Sequence, residues 1–176
     1  MQADEFIAWA ADLPKGERYE LAGGEIVAMA AERAAHVRAK FAATAALKAA
    51  IKAEGLPCEA FVDGLAVRID DEHVYEPDAL VRCGEPLDPD TVTIDDPVIV
   101  VEVVSPSSSR IDADGKLGDY FQLASVKHYL IVNVKRRLVM HHARESADRI
   151  ATRILRDGPL ELRPPGLSLR VESLLG

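Results

Sequence analysis

The sequence predicts a domain of the α/β (α+β) class, a mixed central β-sheet flanked by helices, and three observations predict it. Its elements run helix, hairpin, long helix, several strands, helix and further strands, the order of a sheet against which helices pack. Residues 98 to 104, VIVVEVV, form a nearly continuous apolar run, as a strand covered on both faces requires. Residues 32 to 54 are rich in alanine, free of glycine and proline, and repeat apolar residues at helical spacing.

Taken in order, residues 4 to 12, DEFIAWAAD, predict a short helix with Phe6, Ile7, Trp9 and Ala10 on its apolar side, broken by Pro14 and Gly16. YELAGGEIVAMA, residues 19 to 30, predicts two short strands about Gly23-Gly24, a dipeptide that tolerates positive φ in a tight turn. In the long helix Val37, Phe41, Ala45, Leu47 and Ile51 mark the apolar face, and Gly55 and Pro57 stop it. Extended segments are expected at 58 to 70 and 74 to 82, then the buried strand at 97 to 104. Ser105 to Ser109 read as strand exit and loop, since no histidine partner or nucleophile elbow accompanies these serines. Residues 111 to 125 predict a second helix buried through Leu117, Tyr120, Phe121 and Ala124. Residues 128 to 143 predict a strand, a solvated basic turn at Lys135-Arg136-Arg137 and a returning strand, with short strands at 149 to 156 and 160 to 171. No repeat or low-complexity linker interrupts the chain, which predicts one domain over residues 1–176.

Composition narrows the function. A net charge of −8 argues against a surface coated in lysine and arginine for gripping nucleic acid, though not against a local basic groove. The N-terminus opens with acids and has no basic segment followed by an apolar one, and no run approaches the roughly 18 apolar residues of a membrane span. A cytoplasmic protein is expected. Cys58 and Cys83 have no further sulfur to help them bind zinc and read as buried thiols in a reducing compartment.

Glu102 lies between Val101 and Val103 in the most apolar strand. An ionised carboxylate placed there costs several kcal/mol unless a cation, a metal or converging hydrogen bonds meet it. Asp78, after Glu76-Pro77, stands near the start of the preceding strand, and Lys116 follows on the next helix. Two acids on neighbouring strands suit Mg2+, which takes one or two carboxylates and keeps several waters; Mn2+ would substitute. The lysine would orient water or stabilise charge developing on a phosphoryl oxygen. The alternatives are an ion pair for Glu102, a turn residue for Asp78 and a solvated lysine for Lys116.

EPDALV, PVIVVEVVSPSSS and the segment from Asp112 through Lys116 to Tyr120 resemble the Uma family of restriction-endonuclease-like proteins, a branch of the PD-(D/E)XK nuclease superfamily. The YELAGGEIV hairpin, the helix carrying His36 and the GLSLRVESLL tail resemble its layout as well. The resemblance implies a restriction-endonuclease-like core, a magnesium-dependent site and hydrolysis of DNA. It matches Asp78 and Glu102 to the family's acids, while Val104 stands where the superfamily has its lysine, so that role falls to Lys116. It also places Glu20 beside the metal. His36 would contact a phosphate or substrate, and Tyr120 would donate a hydrogen bond into the cleft; packing explains either residue equally well. A nuclease-fold binding module acting as a homodimer, and a hydrolase of a small phosphodiester, are the alternative functions.

Overall fold

The computed structural model describes residues 1–14, 16–104 and 110–176, with the side chains of 110–114 left aside. The predicted strand exit at Ser105 to Ser109 and the side chain of Asp112 lie outside the described residues. The chain begins with α1 (Ala3–Ala11), the hairpin β1 (Tyr19–Ala22) and β2 (Glu25–Ala28), and the long α2 (Ala34–Glu54). There follow β3 (Cys58–Val62), β4 (Ala66–Arg68), β5 (Val74–Tyr75), β6 (Ala79–Cys83), β7 (Thr93–Ile94), β8 (Ile99–Val104) and α3 (Arg110–Tyr120). The chain ends in β9 (His128–Asn133), β10 (Leu138–Arg144), β11 (Ile150–Leu155), β12 (Pro159–Leu162), β13 (Leu167–Arg170) and a 3-10 turn.

Six strands form the main sheet in the order β11-β10-β9-β8-β6-β3, and five form a second sheet in the order β2-β1-β5-β4-β7. Only β8 and β9 run parallel in the main sheet, because α3 lies between them in the chain. Period-two alternation along β8 then sorts the core. Ile99, Val101 and Val103 face the side covered by Ala39, Ala43, Leu47 and Ile51 of α2. Val100 faces the other side, where Tyr120, Phe121, Tyr129 and Tyr75 gather. Glu102 shares the parity of Val100 and therefore points toward α3 and the second sheet.

Four local expectations are corrected. The segment at 58 to 70 is not one strand: Asp63 and Gly64 take φ of 51° and 78°, and the chain passes from the main sheet into the second. The segment at 74 to 82 likewise divides at Pro77, which has no N–H to donate to a ladder. The long helix exists and buries Leu47 and Ile51 as expected, but in its first half Val37 is 48% and Phe41 70% exposed, while the alanines at 39, 43 and 50 pack on the sheet. Alanine lets the helix backbone approach the strands closely, so small residues mark the buried face. Last, Cys58 and Cys83 are not thiols. They stand opposite each other in the β3–β6 ladder, with Cα atoms 3.9 Å apart, and are joined as a disulfide.

His141 and His142 point to opposite faces of β10, as adjacent strand residues must. His141 meets His128 of β9, and His142 meets Thr152 of β11. Lys135, Arg136 and Arg137 are exposed in the turn between β9 and β10. Among the described residues no helix is long and apolar enough to cross a membrane.

Candidate active site

The antiparallel register of β6 and β8 pairs Ala79 with Val101. Asp78, just before β6, lies one residue beyond that register; its charge helps raise the Glu102 pKa, and its Oδ1 reaches His36 and Lys40 of α2. The backbone N–H of Val103 donates to Asp78 Oδ2 at 2.6 Å, which fixes the aspartate against β8. The two acids lie near each other at one end of the main sheet, Asp78 held by His36 and the Val103 N–H and Glu102 by Lys116 and Tyr120.

Three other elements bring the remaining residues to them. From β1, Glu20 accepts the backbone N–H of Glu76 at 2.9 Å, which ties the second sheet to the Glu76-Pro77-Asp78 segment. From α3, Lys116 Nζ donates to Glu20 Oε1 at 2.8 Å and to Glu102 Oε1 at 3.3 Å, and lies over the Tyr75 ring at 4.9 Å. One turn on, Tyr120 donates its hydroxyl to Glu102 Oε1 at 3.0 Å. The tyrosine is fully buried, so it holds Glu102 in place rather than opening into a cleft. From the first turn of α2, His36 Nε2 lies 2.9 Å from Asp78 Oδ1.

Further residues complete the cluster without having been singled out in the sequence. Lys40, one helical turn after His36, reaches Asp63 Oδ2 at 3.0 Å and Asp78 Oδ1 at 3.4 Å and also pairs with Glu32. Arg18 bridges Asp63 and Glu76. His36 and Lys40 stand at i and i+4 on α2, the spacing that puts side chains on one face, and Glu32 just before the helix joins them; that pattern was available to reading. The contacts of Arg18, Asp63 and Glu76 join distant segments and have no local signature.

Electrostatics follow from this crowding. Burial pushes the Glu102 carboxyl up to about 7; Lys116 opposes that rise, and Asp78 and Glu20 add to it. Burial disfavours the Lys116 ammonium, yet Glu102 and Glu20 outweigh the cost and hold its pKa above the ordinary lysine value. The hydrogen bond to Asp78 raises the pKa of His36 against its partial burial. Among the described residues, six carboxyl groups (Glu20, Glu32, Asp63, Glu76, Asp78 and the partly protonated Glu102) face the three permanent cations Arg18, Lys40 and Lys116. The surplus negative charge fits a divalent cation. Asp78 and Glu102 offer it oxygens from adjoining strands, and Glu32, His36 and Asp78 present ligand atoms within 4.8 Å of one another.

Comparison with known proteins agrees with this architecture. The chain is 30% identical over 121 residues to the "Uncharacterized protein slr1290" of Synechocystis, a match covering 68% of this chain and 64% of that protein. The fold is similar to a crystal structure described as "a putative nuclease belonging to DUF820" from Anabaena variabilis. That likeness has a TM-score of 0.79 at 16% identity and covers 99% of this chain and 97% of the other. The sequence profile of the Uma2 family, described as "Putative restriction endonuclease", matches residues 3–172, and the chain belongs to that family.

Proposed function

We propose that this chain is a Mg2+-dependent endonuclease that hydrolyses DNA phosphodiester bonds, with Mn2+ able to replace Mg2+. The observation that supports it best is the placement of Asp78 and Glu102 side by side in a cluster with excess negative charge, next to a lysine held as an ammonium. Membership of the family described as "Putative restriction endonuclease" supports the same reading.

Asp78 and Glu102 would hold the ion, with His36 and Glu32 within reach of it on the α2 side. A bound divalent ion would supply positive charge at the phosphoryl oxygen and acidify water. The chain's own residues do the rest. Lys116, kept protonated by Glu20 and Glu102, does not act as a base; it donates hydrogen bonds that position the attacking water and offset charge on the phosphorane-like transition state. Glu20 orients Lys116 and Tyr120 orients Glu102. Arg33 and Arg38, exposed on either side of His36, would meet the phosphate backbone and supply local positive charge on an acidic protein.

Glu102→Gln tests this reading. The amide preserves size and can still accept the Tyr120 hydrogen bond, so circular dichroism should show an intact fold while Mg2+ affinity falls by at least about tenfold and cleavage is lost. Cleavage at the wild-type rate would end the assignment. One observation favours a second reading, a nuclease-fold module that binds without cutting: Lys116 and Lys40 already lie against Glu102 and Asp78. Calorimetric titration with Mg2+ separates the two, because such a module need not take up the ion.

A further inference from the structure

The basic turn at Lys135-Arg136-Arg137 stands at the same end of the main sheet as the acid cluster. The parallel register of β8 and β9 sets Glu102 beside Ile131 and Val104 beside Asn133, and the antiparallel register of β9 and β10 sets Asn133 beside Leu138. The turn of residues 134–137 therefore leaves the sheet just beyond the Val104 end of β8. Just past β11, Arg156 Nη1 donates to the carbonyl of Arg136 at 3.1 Å and adds a fourth cation. Toward β6, α2 carries the exposed Arg33 and Arg38 at this same end, beside the His36 that meets Asp78. Along the order of strands, the acids thus lie between two basic groups.

Stability does not explain the basic turn. Lys135, Arg136, Arg137 and Arg156 are all exposed, and none of them pairs with a carboxylate among the described residues, the exposed Asp157 included. Other cations of this chain are engaged: Arg18, Lys40, Arg68, Arg82 and Lys116 each meet acids. The turn itself is held by its backbone, since Asn133 Oδ1 accepts the N–H of Arg136 at 2.9 Å and the Val134 carbonyl accepts that of Arg137 at 3.3 Å. Arg137 has φ of 49°, a left-handed conformation that glycine or asparagine fills more readily than a long side chain. An arginine there does nothing for the turn, so its charge serves something outside it.

We propose that the β9–β10 turn and Arg156 form a phosphate clamp that grips the DNA backbone a few nucleotides from the scissile bond. This rests on the reading of the chain as a DNA endonuclease. The step from Glu102 to Val104, the strand spacing and the reach of the turn put the clamp on the order of 10–15 Å from Glu102. At a rise of about 3.4 Å per nucleotide, that is roughly three or four steps along one strand. Such contacts carry no base sequence; they fix where the backbone lies, so the acids receive one phosphodiester of a strand held on both sides. They also give a protein of net charge −8 the local positive potential that a nucleic acid needs.

Fluorescein-labelled duplex and single-stranded DNA are titrated with the full-length Glu102→Gln chain, with anisotropy read over a range of KCl concentrations. Lys135→Gln, Arg136→Gln, Arg137→Gly and Arg156→Gln together should lower affinity about 10²-fold and make the plot of log Kd against log salt shallower by about three. Arg137→Gly alone separates binding from structure: the thermal midpoint should hold or rise while affinity falls by about three- to tenfold. Lys48→Gln with Lys52→Gln is the control, because these exposed cations lie at the far end of α2, and it should cost less than about twofold. Equal losses from that pair and from Lys135→Gln with Arg136→Gln, an unchanged salt slope in the fourfold variant, or no binding of either DNA by the parent would each overturn the proposal. In the chain that keeps Glu102, calorimetric Mg2+ uptake should be the same with and without the four substitutions. DNA held through the clamp but never cut would leave this proposal standing without the nuclease reading.

Discussion

Lys116 and Glu20, 96 positions apart in the sequence, meet at 2.8 Å between Nζ and Oε1. The contact joins α3 to the hairpin of the second sheet, and Lys116 extends it to Glu102 in the main sheet. A single ammonium thus serves two carboxylates that lie on different sheets.

Lys116→Met should therefore show in stability as well as in catalysis. Removing one partner of a buried pair costs about 3–5 kcal/mol when the other stays charged. Here Glu102, already shifted to about 7, can take up a proton instead. The expected loss is nearer ~1–2 kcal/mol, with uptake of about half a proton at pH 7, where Glu102 is already half protonated. Urea denaturation and proton-release titration measure these, and cleavage should fall by about 10²-fold or more.

Two replacements of Asp78 should differ in stability but not in their effect on metal binding. Asp78→Ala leaves the buried N–H of Val103 without its acceptor, at a cost of about 1–3 kcal/mol. Asp78→Asn keeps an oxygen for that bond and should cost less. Both should weaken Mg2+ binding, as calorimetry would register. Equal destabilisation by the two would show that the Val103 contact contributes little.

The paired histidines predict acid sensitivity. His128 Nε2–H donates to the carbonyl of Pro164 at 2.9 Å, leaving Nδ1 to accept from His141 Nε2–H at 2.9 Å, and His141 Nδ1 in turn accepts from Arg153 at 3.1 Å. Every ring nitrogen is committed while both rings are neutral. Burial pushes His128 down to about 4, and burial with His128, Arg153 and His142 nearby pushes His141 down to about 3. In the unfolded chain both titrate near 6.5. Their stabilising contribution is present above that value and is lost as pH falls from it toward 4 and 3. Between about pH 7 and pH 5 the pair should remove on the order of 2–3 kcal/mol. Urea midpoints across that range check this, and a His128→Asn, His141→Asn protein should show a flatter profile.

Local pattern carried much of the architecture. The hairpin, α2 and the β8 run follow from turn residues, helical spacing and continuous apolarity, and Glu102 was conspicuous because a charge interrupted that run. The division of residues 58 to 70 between two sheets was harder, since both halves are extended and apolar; the Asp63-Gly64 dipeptide was the available turn signal. The first half of the α2 face was misread because Val37 and Phe41 were given more weight than alanine, which close packing favours here, whereas Leu47 and Ile51 are buried as expected. Glu20, Asp78, Glu102 and Lys116 were marked by motif, whereas Arg18 and Asp63 join the cluster only through tertiary contacts. The cysteine pair had no local trace, because opposition across strands depends on register.

That same dependence constrains how this protein can change. Because Asp78 directly precedes the ladder in which Ala79 faces Val101, deleting one residue from the middle of β6 or β8 would break the register that brings Asp78 to the Val103 N–H and carry it away from Glu102. Loops at the rim can be lengthened or trimmed with little consequence, but these two strands must keep their count.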